Sequence, residues 1–197
     1  TSAEQRFNAD QEMTPITVSG FDNRATIELD GAPEGVSYNT VTHQITGTPT
    51  SGVGDYSFNV RARMPESTGG EVTTKGVTLH VLPIEPSLSA NPNPVTVEAT
   101  HRMPDITITK DPLSELAVPT VTIGGTGNPR PLSELGLSYD TTSRTITGTP
   151  TVVGNHTIHL STTLSKRYTG VDGGVTKTLE IPVTVNAKSF ELTINHQ

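Results

Sequence analysis

The 197-residue sequence predicts an all-β protein built as two tandem β-sandwich modules. Three observations predict it: a composition rich in β-branched residues and turn formers, short runs of strict alternation, and an internal repeat. Hydrophobic residues make up 31% of the chain, with four Phe, four Tyr and no Trp. That is low for a globular protein, so the core must be thin and made of Val, Ile, Leu and Thr between two sheets. Eighteen Gly and fifteen Pro punctuate the runs, as many short strands and turns require.

The alternation is clearest in two stretches of each copy. Tyr56, Phe58, Val60 and Ala62 alternate with Ser57, Asn59, Arg61 and Arg63, the period of a strand with one buried face. Val77, Leu79 and Val81 repeat the pattern, as do Leu179, Ile181, Val183 and Val185. Pro182 falls on the outward face of that last strand, where a missing N–H predicts an edge or a bulge. Pro112–Leu116 is long enough for one turn, and no longer helical pattern occurs.

The repeat organises the chain. Residues 35–50 read GVSYNTVTHQITGTPT and residues 136–151 read GLSYDTTSRTITGTPT, ten of sixteen identical at an offset of 101. Met13–Val18 parallels Met103–Ile108 at an offset of 90, so copy two carries eleven extra residues between Ile108 and Gly136. Gly54–Phe58 matches Gly154–Ile158 at an offset of 100. The boundary falls at Leu82-Pro83-Ile84-Glu85-Pro86, where the prolines stiffen the junction. The modules are expected at 1–84 and 85–197, with a longer, flexible loop at 124–134 in the second. The tail Phe190–Gln197 reads as a last strand or as the opening strand of a further copy. In the ITGTPT corner, Gly47 and Gly148 permit a backbone angle that other residues avoid, and Pro49 or Pro150 holds the preceding Thr extended.

Charge and composition exclude several functions. A net charge of −7 and no Lys/Arg run leave no basic face for nucleic acid. Without Cys there is neither a disulfide scaffold nor a thiolate metal site. No stretch approaches the ~20 apolar residues of a membrane span. No signal peptide is present, so a signal and an anchor are expected in regions outside this segment.

The run Gly-(Val/Leu)-Ser-Tyr-(Asn/Asp)…Ile-Thr-Gly-Thr-Pro-Thr…Gly-x-(Tyr/His), followed by a long strand, a polar loop and a Thr-Lys-rich strand, resembles the immunoglobulin-like, cadherin- and dystroglycan-related β-sandwich repeat of bacterial cell-surface adhesins. The match covers most of both copies and is most specific at 35–60 and 136–160. The resemblance implies two immunoglobulin-like/cadherin-like sandwiches, display at a cell surface, and use as a stalk or adhesive segment beside neighbouring modules of the same chain. Calcium enters through the resemblance and not through the residues. Where calcium-binding relatives carry a carboxylate after the long strand, this chain reads Arg61-Ala62-Arg63-Met64 and Thr162-Thr163-Leu164-Ser165. Asp22, Asp30, Asp55 and Asp172 are scattered and form no loop of spaced ligands. No cofactor and no resident metal are expected.

No catalytic residues emerge, because no G-x-S-x-G, H-E-x-x-H or phosphate loop between strand and helix occurs. Gly124-Gly125-Thr126-Gly127 opens onto Asn128-Pro129-Arg130-Pro131, which is loop chemistry. His156 and His159, three apart on a strand, point to opposite faces and cannot share a metal. His156 aligns with inward-facing Tyr56 and reads as a packed residue. Two features stand out where the copies diverge. One is the insertion, with Asn128 and Arg130; its plainer reading is a neutral length variant. The other is Lys166-Arg167-Tyr168 before the last strand, a guanidinium beside an aromatic ring, suited to an acidic sugar or carboxylate. Its plainer reading is a solvated hairpin tip.

The sequence thus points to a non-enzymatic structural and adhesive module pair of a bacterial surface protein. It would present a rigid rod, with copy two binding a host glycan or surface protein. The alternative is a carbohydrate-binding or spacer appendage of a secreted glycoside hydrolase; a phage virion module is a third reading.

Overall fold

In a computed structural model, residues 3–125, 127–190 and 192–194 are described. The chain forms two compact units, Thr1–Glu85 with Ser165–Val175, and Pro86–Leu164 with Thr176–Gln197.

The first unit contains β1 (Ala3–Asn8), β2 (Ile16–Thr17), β3 (Thr26–Asp30), β4 (Val36–Asn39), β5 (Gln44–Gly47), β6 (Gly54–Arg63) and β7 (Val72–Leu82). One sheet runs β1-β7-β6-β3 and the other β2-β5-β4. Phe58, Val60, Val77, Leu79 and Val81 from the first sheet meet Ile45 from the second, with Met13 buried among them. This is the expected thin core: alternate residues of β6 and β7 face inward and their Ser, Asn and Thr neighbours face outward.

The second unit contains β8 (Leu88–Asn91), β9 (Val95–Glu98), β10 (Ile106–Lys110), β11 (Glu115–Leu116), β12 (Thr120–Thr122), β13 (Arg130–Pro131), β14 (Leu137–Asp140), β15 (Thr145–Gly148), β16 (Gly154–Leu164) and β17 (Val175–Asn186). Its sheets run β14-β15-β10-β8 and β13-β12-β16-β17-β9, with β11 on β16. Ile106, Leu137 and Ile146 from one sheet pack against Val121, Ile158, Leu160, Ile181 and Val183 from the other. Both units are therefore β-sandwiches, and the fold is all-β. Pro182 precedes Val183, the residue at which parallel pairing of β17 with β9 begins.

The copies superpose in register as well as in sequence. Phe7 lies opposite Val81 in the parallel pair β1–β7, and Val97 opposite Val185 in β9–β17. Met13 donates its N–H to Gly47 and Met103 to Gly148, at 2.9 and 3.0 Å. The corner glycines have φ of 134° and 148°. Each faces a second repeat glycine across the hairpin: a Cβ on Gly47 would lie 1.9 Å from the Gly35 oxygen, and one on Gly148 2.3 Å from that of Gly136. The repeat thus keeps two glycines per copy because two backbones touch there.

The insertion is more ordered than the flexible loop expected. Arg130–Pro131 pairs with Thr120–Val121 as β13. Leu132 and Leu135 in the following 3-10 turn are buried in the core, because apolar side chains at those two positions of the turn reach between the sheets. Thr126 lies outside the described residues. Pro112–Leu116 is not the one helical turn expected: only Pro112–Leu113 turns, and Glu115–Leu116 is extended and pairs with β16. In the tail, residues 187–190 and 192–194 form no strand, and 191 and 195–197 lie outside the described residues.

Candidate functional site

Lys166–Thr169 forms a single helical turn, α1, within the first unit. Gly170 closes it in a left-handed conformation and returns its N–H to the Lys166 carbonyl at 2.7 Å. The turn is tied down by backbone bonds: Val53 N–H donates to the Arg167 carbonyl at 3.0 Å and Ile84 N–H to the Tyr168 carbonyl at 2.9 Å. Tyr168 is half-buried against the first unit's core cluster. A solvated hairpin tip, as the plainer reading had it, is therefore an incomplete description. Copy one's corresponding turn, Glu66–Thr68, buries no residue.

Three side chains leave this turn with different roles. The Arg167 guanidinium carbon lies 5.3 Å from the Tyr168 ring centroid, a cation–π arrangement. Lys166 pairs with Asp172. Tyr168 supplies a ring whose position is set by the core it packs on. In the second unit, Asn128 is exposed in a bend and Arg130 pairs with Glu134 at 3.1 Å. The five residues thus divide between the units: Lys166, Arg167 and Tyr168 in the first, Asn128 and Arg130 in the second.

The histidines behave as packed residues. His156 is 2% exposed. Its Nδ1 accepts the Gly124 N–H at 2.9 Å, so the ring proton sits on Nε2, which donates to the Val152 carbonyl at 2.7 Å. The phenol of Tyr56 makes the same bond four residues back, to the Gly52 carbonyl at 2.9 Å. His156 additionally pins the start of the insertion. His159 bonds Thr122 and lies 3.3 Å from Glu180.

The residues do not fit a calcium site. Each scattered acid already has its own side-chain partner: Asp22 holds Arg24, Asp30 holds Arg61, Asp55 holds His80, and Asp172 holds Lys166. The Arg24 guanidinium and backbone N–H keep the Asp22 carboxyl well below the usual carboxylate range. Among the described residues no group of three or more His, Asp or Glu could hold a metal ion, and no helix is long and apolar enough to cross a membrane.

Sequence reasoning missed a groove in the first unit. It encloses about 770 Å³ between the two sheets beside β2, and its lining includes Ile16, Val18, Phe21, Ile45, Val60 and Val77. The signal that could have exposed it is a comparison of the burial of β2 with that of its repeat equivalent, which needs the neighbouring strand to be known.

No protein-family profile matches the chain. It is similar to the serine-rich adhesin for platelets of Staphylococcus aureus, 28% identical over 193 residues, which is 96% of this chain and 8% of that protein. The relative from strain MRSA252 is also 28% identical over 193 residues, there 13% of the protein. The chain thus spans only a small part of the relatives' length. Among solved structures, Drosophila N-cadherin EC1-4 covers 94% of this chain and 48% of its own, at 11% identity and a TM-score of 0.35. An endo-fucoidan hydrolase from glycoside hydrolase family 107 covers 95% of this chain and 28% of its own, at 14% identity and a TM-score of 0.41. The resemblance to bacterial adhesin repeats, first carried by the two ITGTPT corners, extends along nearly the whole chain as similarity to a staphylococcal adhesin.

Proposed function

We propose that this chain is a non-catalytic, adhesive module pair of a bacterial cell-surface protein, displayed outside the cell and attached through regions beyond this segment. The similarity of 96% of the chain to part of a platelet adhesin carries the reading. Two rigid sandwiches without a catalytic constellation suit display and recognition.

The recognition element in this proposal is Arg167, held over the Tyr168 ring, with Lys166 beside it. A guanidinium accepts a carboxylate through paired hydrogen bonds, and a ring fixed by packing loses little entropy on binding. The ligand class is an acidic host glycan or a carboxylate-bearing surface protein. Asn128 and Arg130 form a second, independent locus on the second unit. The test is adhesion to platelets and binding to a glycan array, with Arg167→Ala and the pair Asn128→Ala/Arg130→Ala. Arg167→Ala is expected to lose at least tenfold in binding with an unchanged thermal midpoint. Equal binding by Arg167→Ala would refute the site. No binding by the unsubstituted chain would leave a stalk without recognition.

A further inference from the structure

Asp111-Pro112 is the one Asp–Pro bond of the sequence, and the second unit surrounds it with groups that the first does not have. The offset of 90 places Gly20 and Phe21 of copy one at Lys110 and Asp111. The Asp111 carbonyl oxygen accepts two side-chain hydrogen bonds, from the Lys110 ammonium at 2.9 Å and the Ser114 hydroxyl at 3.2 Å. Both donors are held in place. Lys110 also donates to the Ser114 carbonyl, and the Ser114 side-chain oxygen lies 2.8 Å from the hydroxyl of fully buried Thr162. An ammonium and a hydroxyl on one carbonyl polarise it, and they stabilise negative charge that develops on its oxygen.

The nucleophile belongs to the same residue. Three backbone N–H groups orient the Asp111 carboxylate: Leu113 and Ser114 donate to Oδ1 at 3.1 and 3.0 Å, and Ser87 to Oδ2 at 3.1 Å. Burial pushes this carboxyl up, but those N–H groups outweigh burial and keep it ionised to lower pH than a free aspartate. The ionised carboxylate is the form that attacks a carbonyl. On the other side of that carbonyl stands a tertiary amide. Its proline nitrogen takes up a proton more readily than an ordinary peptide nitrogen and leaves more easily.

We propose that the second unit promotes scission of its own Asp111–Pro112 bond. A carboxylate oxygen of Asp111 attacks the Asp111 carbonyl carbon and closes a five-membered cyclic anhydride, through an oxyanion held by Lys110 and Ser114. The C–N bond breaks, and a proton from solvent leaves Pro112 with a secondary-amine N-terminus. Water then opens the anhydride, and Asp111 keeps its side-chain carboxyl and gains a C-terminal one. Each molecule reacts once, without turnover. The two fragments stay joined by strand pairing, β10 with β15 and β9 with β17.

Mass spectrometry of the purified chain reads the reaction, after incubation at one mildly acidic pH both folded and in guanidinium chloride. In denaturant only the intrinsic lability of an Asp–Pro bond acts. The folded chain is expected to yield fragments 1–111 and 112–197 at least tenfold faster. That comparison needs no substitution, and circular dichroism establishes that the chain is folded at the chosen pH. Lys110→Met should slow the folded reaction at least tenfold and leave the rate in denaturant unchanged. Asp111→Asn should give no fragments in either condition. A folded chain that breaks no faster than the denatured one overturns the proposal, because the fold would then shield the bond. An unchanged rate in folded Lys110→Met overturns it too.

Discussion

Ile106-Thr107-Ile108 and Ile16-Thr17-Val18 have nearly the same sequence, pair with the same ITGT strand, and end in different environments. In the second unit the stretch is a central strand with both isoleucines sealed. In the first unit it borders a groove. The difference teaches that a repeat transmits the corner, the hairpin and the register, while burial at an edge depends on which strand arrives beside it. The same lesson holds at the hairpin tips. Glu66–Thr68 buries nothing, whereas Lys166–Thr169 is fastened to Val53 and Ile84 by backbone bonds.

The largest effects should come from what the copies share. Gly148→Ala forces a Cβ to 2.3 Å from the Gly136 oxygen at positive φ. It should cost at least ~3 kcal/mol in denaturant unfolding of the second unit. Gly47→Ala should do the same to the first; a small cost in either would break the equivalence of the corners. Next comes the edge itself. Ile106→Ala should cost ~2–5 kcal/mol as a sealed core truncation, and Ile16→Ala clearly less in dilute solution. Equal costs would mean the two edges are equally covered.

Smaller effects sharpen the equivalence of Tyr56 and His156. Tyr56→Phe removes one hydrogen bond and should cost about 1 kcal/mol. His156→Tyr keeps a donor for Val152 but leaves the Gly124 N–H without its acceptor, for ~1–3 kcal/mol and a looser insertion. The smallest effect concerns Asp111, which caps the turn before β11. Burial alone would push its carboxyl up, but the N–H groups of Ser87, Ser114 and Leu113 outweigh burial and hold it below the usual range. A depressed folded-state value means the stabilisation is present above the ordinary carboxylate range and fades as pH falls through the folded value. Asp111→Asn should therefore cost under about 1 kcal/mol near neutrality, and its deficit should vanish in acid.

Much of the fold was legible because alternation and turn chemistry are local. The inward face of β6, β7 and β17, the strained corner glycine and the packed role of His156 all followed from spacing and the internal alignment. The reason for Gly35 and Gly136 did not, because it is a backbone contact across the hairpin that no periodicity records. Nor did the anchoring of Arg167 and Tyr168, since Val53 and Ile84 are distant in sequence. The insertion looked like free loop because Gly and Pro dominate it, and two leucines that fill a core position were too few to show a period.

Amide hydrogen exchange in dilute solution tests the contrast between the edges most directly. Thr107 and Thr109, whose N–H groups face β8, should exchange only with opening of the second unit. Thr17 and Ser19 should exchange orders of magnitude faster, while Val18, bonded to His43, stays protected. Protection of Thr17 and Ser19 equal to that of Thr107 and Thr109 would contradict the account.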